Sequence, residues 1–140
     1  MTMPTRDPVV ASIRIAAPPE VVFPYFTDPD LVMTWLAEKA DLEPRPGGLF
    51  SIDVDGAKAR GSYIVVDPPN RVVFTWGIPG DDELPAGSST VEVVLGAEGA
   101  DTVVTLTHRD LPAGKRSSHR EGWERHLGAL VGAVGTAAAG

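Results

Sequence analysis

Hydrophobic and polar positions change period in a fixed order along this chain. From Val9 to Ile15 they alternate, with Val9, Ala11, Ile13 and Ile15 on one face and Ser12 and Arg14 on the other, which predicts a half-buried strand. Pro18-Pro19-Glu20 then opens a helix carrying Val21, Val22, Tyr25 and Phe26, because proline suits a first turn and an acidic side chain favours the positive end of the helix dipole. Pro24 removes a backbone donor inside that helix and predicts a kink or a very short element. Asp28 caps a second helix over Asp30 to Leu36, which presents Leu31 and Trp35 to the core.

Six further strands are expected at Lys39 to Glu43, Leu49 to Asp55, Ala59 to Asp67, Arg71 to Ile78, Ser89 to Gly96 and Thr102 to Arg109. The turns between them are short and rich in Pro, Gly and Asn, so neighbouring strands must run antiparallel. A last helix spans from Gly114 or Lys115 to about Val134. At 100° per residue Trp123, Leu127, Leu130 and Val134 form one narrow stripe. His119 and His126 flank that stripe, at its boundary with solvent. Gly122, beside Trp123, leaves space for a neighbouring backbone or a ligand, and the Gly128 to Gly132 spacing suggests close helix packing.

The order predicts an α+β fold: a curved antiparallel sheet of about seven strands wrapped around a long C-terminal helix, with two short helices after the first strand. Such a scaffold encloses a pocket when its core is incompletely filled. A single domain over residues 9–135 is expected, with flexible termini at 1–8 and 136–140. The second of these is nearly all Ala and Gly. The acidic, breaker-rich stretch from Pro79 to Gly87 reads as a mobile loop.

Composition narrows the chemistry. The 140 residues contain no cysteine, which excludes thiol nucleophiles, disulfide exchange and thiolate metal sites. A formal charge of −7 disfavours nucleic acid and anionic membranes as partners. No apolar run has the length of a secretory signal core or a membrane span, so a cytoplasmic protein without membrane insertion is the expectation. Hydrolase elbows, zinc-binding helices and phosphate-binding glycine loops are not found in the sequence. The expectation is therefore no metal and no cofactor.

The inward faces read as Phe50, Ile52 and Val54; Val72, Phe74 and Trp76; Val91, Val93 and Leu95; and Val104, Leu106 and His108. Trp35, Phe50, Tyr63, Trp76, His108, Trp123 and Leu127 are the candidate ligand-binding residues. Trp35, Trp76 and Trp123 suit a boundary or a cavity wall, since a buried indole N–H seeks a partner. His108, in phase with Val104 and Leu106, either orients a ligand or moves a proton, or is a core histidine bonded to the backbone. Asp53 and Asp55 fall out of phase and should face the wet, convex side.

Several stretches, read in order, resemble the START-like (SRPBCC) superfamily and its Hsp90 ATPase activator homologue branch. They are Ala17-Pro18-Pro19-Glu20-Val21-Val22, Phe26-Thr27-Asp28-Pro29, Trp35, Arg45-Pro46-Gly47-Gly48, Asp67 to Trp76, Thr105-Leu106-Thr107-His108 and Glu121-Gly122-Trp123. The resemblance implies a helix-grip fold with a cavity for a small hydrophobic molecule between sheet and helix. It leaves three functions open: a small-molecule-binding protein, a cyclase, aromatase or hydratase-type enzyme using the same pocket, and a module acting on a chaperone. A chaperone and a second copy of the chain are the candidate protein partners.

Overall fold

The computed structural model describes residues 8–139. Strand β1 (Val9–Ile15) is followed by α1 (Pro19–Val22), a 3₁₀ turn (Phe23–Phe26) and α2 (Pro29–Val32). Then come β2 (Lys39–Leu42), β3 (Leu49–Val54), β4 (Ala57–Asp67), β5 (Arg71–Trp76), β6 (Ser89–Glu98), β7 (Asp101–Arg109) and α3 (Ala113–Ala139). Pro24 has the expected effect, since the helix tightens into the 3₁₀ turn as soon as the proline enters. Asp28 caps α2 by accepting from the Asp30 amide at 2.9 Å, although that helix ends four residues before Leu36. Helix α3 continues beyond Val134, through Ala139. Of the flexible termini expected, residues 1–7 and 140 lie outside the described residues.

All seven strands form one antiparallel sheet in the order β1-β7-β6-β5-β4-β3-β2. The first strand therefore closes on the last, and the intervening hairpins follow chain order. Sheet curvature has local causes. A Cβ on Gly61 would come within 2.0 Å of the Thr75 carbonyl oxygen, so only glycine lets β4 pass β5 this closely. The register then shifts between Tyr63 and Val65, and such an irregularity bends a strand.

The concave face holds the inward residues read from the alternation, and Phe50, Ile52, Phe74, Val91, Val93, Val104 and Leu106 are all buried. Trp123, Leu127, Leu130 and Val134 of α3 are buried against them, with α3 lying along β1. Gly128 and Gly132 depart from expectation. Both are exposed, and a Cβ at either would meet nothing within 4 Å, so neither serves close helix packing.

The segment between β5 and β6 lacks regular structure but is tied down. The Ile78 amide donates to the Leu84 carbonyl at 2.7 Å. Asp81 accepts from the Glu83 and Leu84 amides at 2.9 and 3.1 Å and meets Lys115 Nζ on α3 at 3.2 Å. Leu84 is thereby held in the core. Among the described residues no helix is long and apolar enough to cross a membrane.

Candidate functional site

Where α3 leaves the sheet near its N-terminal end, a cavity of about 320 Å³ remains between them. Its floor is apolar and buried: Leu36, Val54, Trp76, Leu84 and Trp123. Asp55, Asp81, Lys115 and Ser118 form a more exposed polar rim. Gly122 lines the cavity from α3, and a Cβ there would meet nothing within 4 Å, so the missing side chain leaves open space. An apolar floor with a few polar groups at its edge suits a small ring-containing molecule.

The rim charges are paired. Asp55 accepts from Arg125 at 2.9 Å and contacts His126 Nε2 at 3.0 Å, while His126 Nδ1 lies 3.2 Å from the Trp35 carbonyl. The Arg125 hydrogen bond holds the Asp55 carboxyl below its ordinary value, with His126 acting in the same direction. Asp55 does not continue the alternation of β3. It has a positive φ of 52° in the Asp55-Gly56 turn, which carries its carboxylate to the pocket rim instead of the convex face. Asp53 stays on the sheet, where it pairs with Arg60 at 3.2 Å.

Behind the floor, His108 is fully buried and bonded through both ring nitrogens. Trp123 Nε1, which can only donate, reaches His108 Nδ1 at 3.0 Å. The neutral ring must then carry its proton on Nε2, which donates to Ser89 Oγ at 2.8 Å, and Ser89 donates to the Trp76 carbonyl at 2.7 Å. Burial, with a smaller contribution from the neighbouring His119, pushes the His108 pKa down to about 3. This histidine is a neutral strut between α3, β6 and β7, with no free lone pair to offer a ligand.

His119 is different. Its Nδ1 lies 2.8 Å from the Lys115 carbonyl, an acceptor, so the proton sits on Nδ1 and Nε2 keeps its lone pair. Burial holds the ring below the ordinary histidine value, opposed by the backbone hydrogen bond and reinforced by the charge of Lys115. Nε2 makes no hydrogen bond among the described residues, and the ring lines the cavity. Trp76 packs edge-on to it, with centroids 6.3 Å apart. Trp76 Nε1 is the one buried side-chain nitrogen or oxygen among the described residues without a partner.

Of the seven candidate binding residues, Trp76 and Trp123 line the cavity. The other five pack elsewhere in the core. Trp35 donates to the Tyr25 carbonyl at 2.9 Å and meets Phe26 edge-on. Phe50 stacks on Phe74 with centroids 4.0 Å apart, Tyr63 donates to the Phe26 carbonyl at 3.0 Å, and Leu127 is buried in the α3 stripe. Asp55, His119 and His126 are site residues that alternation did not reveal. The helical wheel put both histidines beside the Trp123 stripe, and that was the available signal.

Comparisons with known proteins agree with this architecture. A Mesorhizobium loti protein of known structure superposes with a TM-score of 0.83 at 23% identity, covering 92% of this chain and 97% of that one. The AHSA1-like protein of Rhizobium etli is 39% identical, covers 96% of this chain and 85% of its own, and superposes with a TM-score of 0.74. The human activator of 90 kDa heat shock protein ATPase homolog 1 is 28% identical over 109 residues. That match takes in 77% of this chain and spans 31% of the human protein's length. Residues 16–135 match the model of one family, and the chain belongs to it: the Activator of Hsp90 ATPase homolog 1-like proteins.

Proposed function

We propose that this protein binds a small, apolar, ring-containing molecule in the cavity between the sheet and α3. The observation that carries the reading is the cavity of about 320 Å³, with Trp76 and Trp123 in its floor and every rim charge already paired. Paired rim charges disfavour a strongly charged ligand, and an indole-lined floor favours a flat one. Thermal shift against apolar aromatic probes tests it. A ligand at one hundred times its dissociation constant adds about 2.7 kcal/mol, a rise of several degrees for a domain of this size. The shift should vanish in Trp123→Ala, measured against that variant's own baseline. A library of such probes that leaves the melting temperature unmoved would defeat the reading.

A second reading, a module acting on a chaperone, is supported by the family and by the human relative, an activator of a heat shock protein ATPase by name. Its test is the ATPase rate of an Hsp90-type chaperone with the purified chain in excess. Stimulation supports it, and an unchanged rate removes it. In an enzyme of the cyclase or hydratase kind, the proton-transfer role would pass from His108 to His119, the cavity histidine with an open lone pair.

A further inference from the structure

His119 Nε2 stands apart from the other polar groups around the cavity, which are committed or sealed. Asp55 is held by Arg125 and His126, and Asp81 by Lys115 and two loop amides. Trp123 Nε1 is spent on His108, and Trp76 Nε1, though unpartnered, is enclosed by protein and out of a ligand's reach. The His119 ring lines the cavity beside Gly122 and Trp123, and its Nδ1–H donates to the Lys115 carbonyl at 2.8 Å. Nε2 makes no hydrogen bond among the described residues. It is nevertheless not sealed, because Trp76 Nε1 is the one buried side-chain nitrogen or oxygen there that lacks a partner.

A neutral imidazole with its proton on Nδ1 can only accept at Nε2. Burial lowers the pKa of His119, which keeps that neutral form at physiological pH. A ligand atom that only accepts, such as a carbonyl, ether or carboxylate oxygen, would set lone pair against lone pair there and strip both of water. An O–H or N–H turns the same contact into a hydrogen bond. Neither rim cation is free to compensate an anion, since Lys115 is paired with Asp81 and Arg125 with Asp55. We propose that the cavity selects flat, neutral molecules carrying a hydrogen-bond donor, an O–H or N–H, directed at His119 Nε2. This rests on the cavity being a ligand site, and it makes His119 the residue that sets specificity.

Two matched pairs of probes, titrated by calorimetry, separate the two ideas: 2-naphthol with 2-methoxynaphthalene, and indole with 1-methylindole. In each pair methylation removes the donor and leaves the flat skeleton. The donor compound should bind roughly tenfold more tightly in at least one pair, and the pair that shows it tells whether the donor is O–H or N–H. His119→Phe should bring that ratio to about one, and His119→Gln, which restores an acceptor, should recover part of it. In the unaltered protein the ¹⁵N resonance of His119 Nε2 should move to lower frequency with the preferred donor compound and stay in place with its methylated partner. Equal affinities within both pairs, or a preference that survives in His119→Phe, would overturn the donor assignment and leave the apolar cavity standing. Failure of all four probes to bind would overturn both.

Discussion

The indole N–H of Trp123 donates to His108 Nδ1 at 3.0 Å, joining the middle of α3 to the end of β7. Because Trp123 also forms the cavity floor, the hydrogen bond that fixes the buried histidine also fixes one wall of the pocket. Trp123→Phe keeps most of the ring but orphans His108 Nδ1. The loss should be about 1–3 kcal/mol, read as a lower urea midpoint with an unchanged slope. A double variant with His108→Phe should lose less than the sum of the two single variants, since the coupling is then counted once.

His108 also sets the acid limit of stability. Its pKa is lowered in the folded state to about 3, whereas the unfolded chain takes up a proton near the ordinary 6.5. The neutral form is therefore present in both states above 6.5, and the unfolded state gains protons first as the pH falls below it. Stability should decline by roughly 1.4 kcal/mol per pH unit from this residue alone, between pH 6.5 and about 3. His119, also lowered, adds in the same direction. His108→Gln can still accept from Trp123 and donate to Ser89 without titrating. Urea unfolding as a function of pH should show a flatter acid limb in that variant, and an identical limb would contradict the assignment.

Gly122 separates the helix from the pocket energetically. Alanine there meets no atom within 4 Å and gains helix propensity, so Gly122→Ala should stabilise the protein by up to about 1 kcal/mol. Gly122→Leu should fold as well, yet project into the cavity and weaken probe binding. Thermal melts with and without a bound aromatic probe distinguish the two effects.

Tyr63 belongs to the core rather than the pocket, with its hydroxyl committed to the Phe26 carbonyl at 3.0 Å. Burial raises its pKa well above the ordinary tyrosine value, so it stays protonated at physiological pH. Tyr63→Phe should cost about 0.5–1.5 kcal/mol, or more if the carbonyl finds no water. Probe affinity should not change. A loss of affinity equal to the loss of stability would return Tyr63 to the binding site.

Alternation carried most of the fold and only part of the site, for one physical reason. Period two says which face of a strand turns inward, and it placed Phe50, Phe74 and His108 on the concave side where they are found. It says nothing about how far α3 and the short helices cover that face. Phe50 and Tyr63 therefore lie under packed side chains while Trp76 borders a cavity. Asp55 was misplaced because a turn residue with positive φ leaves the strand's alternation. His119 required knowing that the Lys115 carbonyl sits one helical turn back and consumes Nδ1, which no wheel shows.

The segment between β5 and β6 reads as a loop from its prolines and glycines, but Asp81 gives it a fixed shape along one side of the cavity. Its carboxylate gathers the Glu83 and Leu84 amides and Lys115 of α3, so the residue that turns the loop also fastens it to the helix. Those contacts hold the Asp81 carboxyl below its ordinary value, the Glu83 amide most of all. Asp81→Ala removes all three, whereas Asp81→Asn keeps an amide oxygen for the backbone donors and loses the ion pair. A bound aromatic probe should then dissociate fastest from Asp81→Ala, at an intermediate rate from Asp81→Asn and slowest from the unaltered protein. Limited proteolysis between Ile78 and Leu84 should follow the same order. Loss of the solvent-edge ion pair alone should hardly move the global urea midpoint in Asp81→Asn, whereas Asp81→Ala, which also frees the turn that holds Leu84 in the core, should lower it. Equal dissociation rates in all three proteins would show that the ligand passes by another route, between the Asp55 turn and α3.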